Sequence, residues 1–285
     1  MIEERVAALV GSRVMTLRPV QSRGYAAAFH AIAELEDGRT AFVKSGAEEV
    51  TSGFLRQEIP IYRAVSGPFM PALLGADEGD PPILVLEDLS GAHWVPPWDE
   101  GAVEAVLAAL GTVAATTPPE WLDPLEKERD WLLGGWAEIA RDPEPFLTLG
   151  LGSGSWLRKN LPVLRNAAES TVLEGDALLH LDVRSDNLCL TERGAVLFDW
   201  NHAHIGNPHV DIAAWASSLH LEGGPQPEAV LPDSPELAAA LAGFFAARAG
   251  LPPPKTAPHV RPFQLAQARI ALRWALSELG LRFGQ

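Results

Sequence analysis

His180-Leu181-Asp182-Val183-Arg184-Ser185-Asp186-Asn187, followed by Val196-Leu197-Phe198-Asp199-Trp200, is the most informative stretch of the chain. Asp182 and Asn187 have four residues between them, a spacing that lets both side chains face one point from a tight loop. Leu188-Cys189-Leu190 and the apolar run Ala195 to Phe198 read as a short hairpin about Glu192-Arg193-Gly194, which returns Asp199 to the side of Asn187. Carboxylate and amide oxygens are hard donors suited to magnesium, an ion that usually keeps several waters. Phosphoryl transfer asks for such a set: a carboxylate to orient a hydroxyl and take its proton, oxygen ligands for the metal, and a cation over the phosphates.

Upstream of this segment, residues 13–45 alternate as strands do, with a polar break at Gln21-Ser22-Arg23-Gly24. Ala27 to Leu35 continues the pattern, and Asp37-Gly38 supplies a hairpin turn into Thr40-Ala41-Phe42-Val43-Lys44. Residues 48–65 have helical spacing through Val50, Phe54, Leu55, Ile59, Tyr62 and Val65, and Pro60 inside the pattern predicts a kink or split. Pro81-Pro82 introduces a strand over Ile83 to Leu86 that ends at Glu87-Asp88-Leu89-Ser90-Gly91. Beyond Gly91, Asp99 is placed to cap a helix, and helical patterns follow over 127–141, 155–170, 208–221, 234–249 and 259–281. The order predicts an α+β fold of two lobes. Residues 1–86 form a small antiparallel sheet with one helix, 87–91 a hinge, and 92–285 a larger, mainly helical part, with a ligand cleft between them.

The catalytic-loop pattern H-x-D-x-x-x-x-N and the following Asp-Trp resemble the aminoglycoside phosphotransferase and choline kinase branch of the protein-kinase-like fold. The resemblance covers residues 14–220, and the last 65 residues match it only in being helical. It implies a bilobal kinase-like fold and a small-molecule kinase that moves the γ-phosphoryl group of ATP or GTP, with Mg2+, onto a hydroxyl. By the resemblance Asp182 is the catalytic base, Asn187 and Asp199 hold magnesium, and His180 and Asp211 support the loop. Most members of the family have Gly where Leu181 stands, so the loop backbone departs from the pattern there. Arg184 is a candidate for contact with the transferred phosphate, against the alternative of a surface Arg paired with Asp186.

The N-terminal half supports the same resemblance. Lys44 ends the third strand in a region poor in lysine, and Glu58 on the next helix is its expected partner; Glu49 lies too near the helix start. The adenine site falls to the Glu87 carbonyl and the Leu89 amide, with Leu86 behind and Cys189 in the floor; Ser22 and Gly24 belong to a phosphate-covering loop. Trp200, His202, Glu222 and Glu278 are candidates for the acceptor site, though each residue type is more often core or solvated surface. His202, His204 and His209 invite a zinc reading, but no Cys helps and the spacing is loose.

Composition sets the bounds. A chain of 285 residues, 47% apolar, can bury a large core; a formal charge of −15 argues against a nucleic-acid partner and fits either general solubility or the steering of a cationic small substrate. One cysteine excludes an internal disulfide and fits a reducing cytoplasm. The first residues do not read as a signal peptide, and no apolar run is long enough for a membrane span. With Lys44, Glu58, Asp182, Asn187 and Asp199 all present, a nucleotide-binding pseudokinase or regulatory module is the weaker reading. Within the kinase reading, an aminoglycoside-like antibiotic and a metabolite (a sugar, amino alcohol or hydroxy amino acid) stay open as acceptors.

Overall fold

In a computed structural model the described residues are 1–20, 28–254 and 257–282. They divide into two compact units: residues 1–95, 100–121 and 185–203 form the first, and residues 96–99, 122–184 and 204–285 the second.

The first unit opens with helix α1 (Ile2–Val10) and strands β1 (Val14–Pro19), β2 (Phe29–Leu35) and β3 (Thr40–Ser45). Helix α2 (Glu49–Ala64), strands β4 (Leu73–Asp77) and β5 (Ile83–Glu87) and helix α3 (Glu100–Ala114) follow. The five strands form one antiparallel sheet in the order β1-β2-β3-β5-β4. Alternation along the strands separates two faces. Ala33, Leu35, Ala41, Val43, Ile83 and Val85 point to one side, where Val6 of α1 completes a buried cluster. Ile32, Phe42, Lys44 and Leu86 point to the other side, where they line a cavity. Helix α2 begins at a cap in which the Ala47 and Glu48 amides both donate to Thr51 Oγ1 at 3.0 Å. Its buried positions Leu55, Glu58, Ile59 and Tyr62 recur at helical spacing, so Glu58 enters the interior with the apolar stripe.

In the second unit lie α4 (Arg129–Leu133), α5 (Gly135–Arg141), α6 (Glu144–Leu147), α7 (Gly154–Glu169) and β6 (Ala177–Leu179). The chain returns to the first unit for the hairpin β7 (Leu188–Thr191) and β8 (Gly194–Leu197), on which α3 packs. It ends in the second unit with β9 (His204–Gly206), α8 (His209–Leu221), α9 (Pro227–Val230), α10 (Pro235–Ala249) and α11 (Val260–Glu278). The alanine-rich α10 is the centre of this unit and packs on α5, α7 and α11. At its crossing with α5, a Cβ on Gly135 would lie 2.2 Å from the Gly243 carbonyl oxygen and one on Gly243 would lie 2.7 Å from the Trp136 ring, so the close backbone approach needs glycine at 135 and the seating of the Trp136 ring needs it at 243.

Several elements differ from the sequence reading. Helix α1 gives the sheet a second helix, and β4 adds a strand. Pro60 does not split α2, whose buried neighbours Ile59, Ile61 and Tyr62 hold it in place. The helix expected over 127–141 is interrupted at Gly134, where α4 gives way to α5. The proposed phosphate-covering residues Ser22 and Gly24 lie outside the described residues. Among the described residues, no helix is long and apolar enough to cross a membrane.

Candidate active site

The cavity on the second face of the sheet has a volume of about 300 Å3, and the described residues that line it all belong to the first unit. Lys44, Glu58 and Asp199 form its charged end. Lys44 Nζ donates to Glu58 Oε2 at 2.7 Å and also contacts Asp199 Oδ1. Glu58 is 1% exposed, so its carboxylate is matched to Lys44 in a place where an unpaired charge would be costly. Burial works against the charge on Lys44, but Asp199 and Glu58 outweigh it and raise its pKa above the ordinary lysine value. Burial pushes Glu58 upward, and Lys44 opposes that shift.

The hairpin register brings the backbone at Asn187 beside the residue that precedes Asp199. Leu188 pairs with Leu197 and Thr191 with Gly194, leaving Glu192 and Arg193 in the turn. One step past the ladder, the Phe198 amide donates to the Asn187 carbonyl at 3.0 Å, and Asp199 follows. Asp199 has φ 66°, a left-handed backbone that is uncommon for a residue other than glycine. Among the described residues, no group of three or more His, Cys, Asp or Glu side chains is arranged to hold a metal ion. Asn187 and Asp199 offer an amide and a carboxylate, and magnesium on a phosphate takes few ligands from protein. These donor types fit that ion; Asp199 lines the cavity, whereas Asn187 is buried and is not among its lining residues.

Glu87, Asp88, Leu89 and Ser90 line the cavity where β5 leaves the sheet. Glu87 is held by Arg193 through two hydrogen bonds of 2.9 and 2.6 Å, while its Oε2 also accepts from the Ala72 amide at 3.1 Å. The Arg193 hydrogen bonds lower the Glu87 pKa. Cys189 is fully buried in β7 and is not among the cavity-lining residues, so it forms no part of the floor there. Burial raises its thiol to about 12. Phe42, Trp94 and Phe198 contribute aromatic wall instead, with the Trp94 and Phe198 rings meeting edge-on at 5.7 Å.

The boundary between the units falls after Arg184, which puts Asp182 and Arg184 in the second. There the Asp182 amide donates to His180 Nδ1 at 3.2 Å, and Arg184 Nε lies 3.5 Å from Asp182 Oδ1. Asp211 braces the loop by accepting from the His180 amide at 2.8 Å and the Leu181 amide at 2.7 Å. Leu181 has φ 61°, so the loop keeps a left-handed backbone without the glycine that suits it. Burial raises Asp211 to about 6 against the lowering effect of those two amides.

The acceptor candidates are divided between the two units. Trp200 is fully buried, packs on Phe69 at 5.8 Å and donates its indole N–H to the Leu197 carbonyl, which leaves no ring face for a substrate. His202 sits 6.3 Å from the Phe54 ring in the first unit. In the second unit, Glu222 accepts from Trp98 Nε1 at 2.9 Å, and Glu278 accepts from Trp274 Nε1 at 3.2 Å. Sequence reasoning missed His30, Phe42, Trp94, Asp186 and Phe198 as cavity residues and Arg193 as the partner of Glu87. For Phe42 a signal was present: it stands two positions before Lys44, on the same strand face.

Residues 31–231 match the model of a family described as the phosphotransferase enzyme family. Solved structures share the fold. A choline/ethanolamine kinase family protein from Mesorhizobium loti is 11% identical with a TM-score of 0.61, covering 98% of each chain. A protein assigned as a fructosamine-3-kinase from Thermobifida fusca is 21% identical with a TM-score of 0.57, covering 95% of this chain and 98% of that one. Amicoumacin kinase, solved with AMP-PNP, Ca2+ and Ami, is 12% identical with a TM-score of 0.51, covering 99% of this chain and 86% of that one. A search of curated proteins finds no match.

Proposed function

This chain belongs to the phosphotransferase enzyme family and is a small-molecule kinase, and from that premise we propose how its residues divide the work. ATP use is implied by the family. The cavity takes the nucleotide, ATP or GTP, with the base against Glu87 and Leu89 and the phosphates toward Lys44. The observation that carries this reading is Lys44 joined to both Glu58 and Asp199 at one end of a cavity whose other end is the exit of β5. Lys44 neutralises phosphate charge, and Glu58 keeps the ammonium in position. Asn187 and Asp199 hold magnesium, which supplies charge neutralisation on the phosphates when bound.

Asp182 accepts the proton of the acceptor hydroxyl as its oxygen attacks the γ-phosphorus and the nucleoside diphosphate leaves. Arg184 pairs with Asp182 and is available to the transferred phosphoryl oxygens. The acceptor is a small hydroxyl compound, and the charge of −15 suits a cationic one. An aminoglycoside-like antibiotic and an amino alcohol meet that description, and a sugar or hydroxy amino acid is the metabolite alternative.

A coupled ADP-release screen across aminoglycosides, other antibiotics, sugars, amino alcohols and nucleosides tests the reading. With the acceptor found, Asp182→Ala is expected to lower kcat by about 10²–10⁴-fold while leaving nucleotide affinity unchanged. Full turnover in that variant overturns the assignment of the base.

A further inference from the structure

We propose that His30 is a phosphate-binding residue of the nucleotide pocket, its imidazole N–H donating to an oxygen of the bound nucleoside di- or triphosphate alongside Lys44. The inference rests on the reading of the cavity as the nucleotide site.

Three observations carry it. In the β2–β3 register His30 pairs directly with Lys44, and directly opposed residues project from the same face of a sheet. His30 lines the same cavity as Lys44, Glu58 and Asp199. Its Nε2 is buried and meets no hydrogen-bond partner among the described residues. Buried polar atoms in native proteins are nearly always paired, so one without a partner among the described residues, on a side chain that lines a cavity, points to a ligand atom.

The position along the strand selects the phosphate end over the base end. Glu87, at the proposed base end, pairs with Ala41 on β3, three residues from Lys44. Three residues of strand span about 10 Å, roughly the distance from a purine to the outer phosphates. His30 is therefore beside the part of the ligand that Lys44 grips.

The electrostatics suit a neutral donor. Burial, with Lys44 adding to it, lowers the His30 pKa to about 4, while Asp199 opposes the shift. The imidazole is neutral at neutral pH and adds a hydrogen bond without placing a second cation beside the ammonium. Its ring also packs at 5.3 Å on Phe42, which fixes its orientation.

Calorimetric titration with adenosine and with ADP plus magnesium separates base from phosphate contacts. His30→Phe keeps a ring against Phe42 but has no N–H; His30→Gln keeps a donor. His30→Phe is expected to weaken ADP about tenfold or more, with adenosine unchanged and His30→Gln retaining most of the ADP affinity. The inference is overturned if His30→Phe binds ADP as the native chain does, if it loses adenosine and ADP alike, or if His30→Gln fails as badly as His30→Phe. A native chain that binds neither compound overturns the nucleotide reading itself, a result distinct from the others.

Discussion

The Leu181 amide donates to Asp211 Oδ1 at 2.7 Å while Leu181 holds φ 61°. The pair couples a strained backbone to the buried carboxylate that restrains it. A left-handed residue with a Cβ costs about 1–2 kcal/mol, and such strain persists where surrounding contacts over-determine the conformation. The consequence is an inverted order of substitutions. Leu181→Gly and Leu181→Ala lose the same packing, yet the glycine variant is expected to be the more stable by about 1 kcal/mol. Urea denaturation of the two variants measures the difference, and an alanine variant equal to or above the glycine variant counts against strain at this position.

Asp211 itself makes stability depend on pH. Its pKa is about 6 in the folded chain, above the ordinary value of 3.8. Between those values the folded protein keeps a proton that the unfolded chain has lost, so this residue's contribution falls as pH rises through the interval and is level above it. Asp211→Asn removes that slope. Unfolding free energies across pH 3.8 to 6 should show the native chain declining, relative to the variant, by an amount on the order of 3 kcal/mol. Parallel curves would place the carboxyl at its ordinary pKa.

Lys44 and Glu58 form a buried pair in which each leaves a problem when the other is removed. Lys44→Met strands the Glu58 carboxylate and is expected to destabilise the fold by about 3–5 kcal/mol. The double variant Lys44→Met/Glu58→Leu replaces both charges with apolar groups and should recover most of that loss. Turnover should stay abolished, because the phosphates lose their cation in both. A double variant no more stable than the single one would argue that the pair is not the source of the cost.

Arg193 reaches from the β7–β8 turn to Glu87 at the end of β5, and its Nε donates to the Pro68 carbonyl at 3.2 Å. Both partners of the ion pair are partly solvated, which limits its contribution. Arg193→Ala is expected to cost about 0.5–1 kcal/mol of stability. It should also weaken nucleotide binding through the loosened β5 exit. Arg193→Lys should rescue little, since a single ammonium cannot reproduce the two-pronged contact. Thermal denaturation and ADP affinity check both effects, and a fully competent lysine variant would remove the geometric argument.

How much of this the sequence revealed varied with the kind of signal. Lys44, Glu58 and Asp199 could be brought together on paper because strand alternation, helical spacing and a short hairpin each set a direction for the side chain. Strand β4 was hidden because Leu73-Leu74-Gly75-Ala76-Asp77 has a glycine in its middle and no β-branched residue. Trp200 follows Asp199 in sequence and looked like a pocket residue. The left-handed turn at Asp199 instead precedes a short helical turn whose first residue is buried. Glu278 looked free to grip a substrate, yet it lies one helical turn beyond Trp274 and receives its indole N–H. His30 gave no warning, since a single histidine on a half-buried strand has no pattern around it.

The tight loop between Thr191 and Gly194 has a consequence for how this protein can change over time. A strand reverses its outward and inward sides with every residue gained or lost, so a single inserted codon in either arm would turn the following side chains to the opposite side. A residue added to either arm would move Asn187 and Asp199 out of step with each other. The hairpin works as a fixed ruler, and diversification has to happen around it.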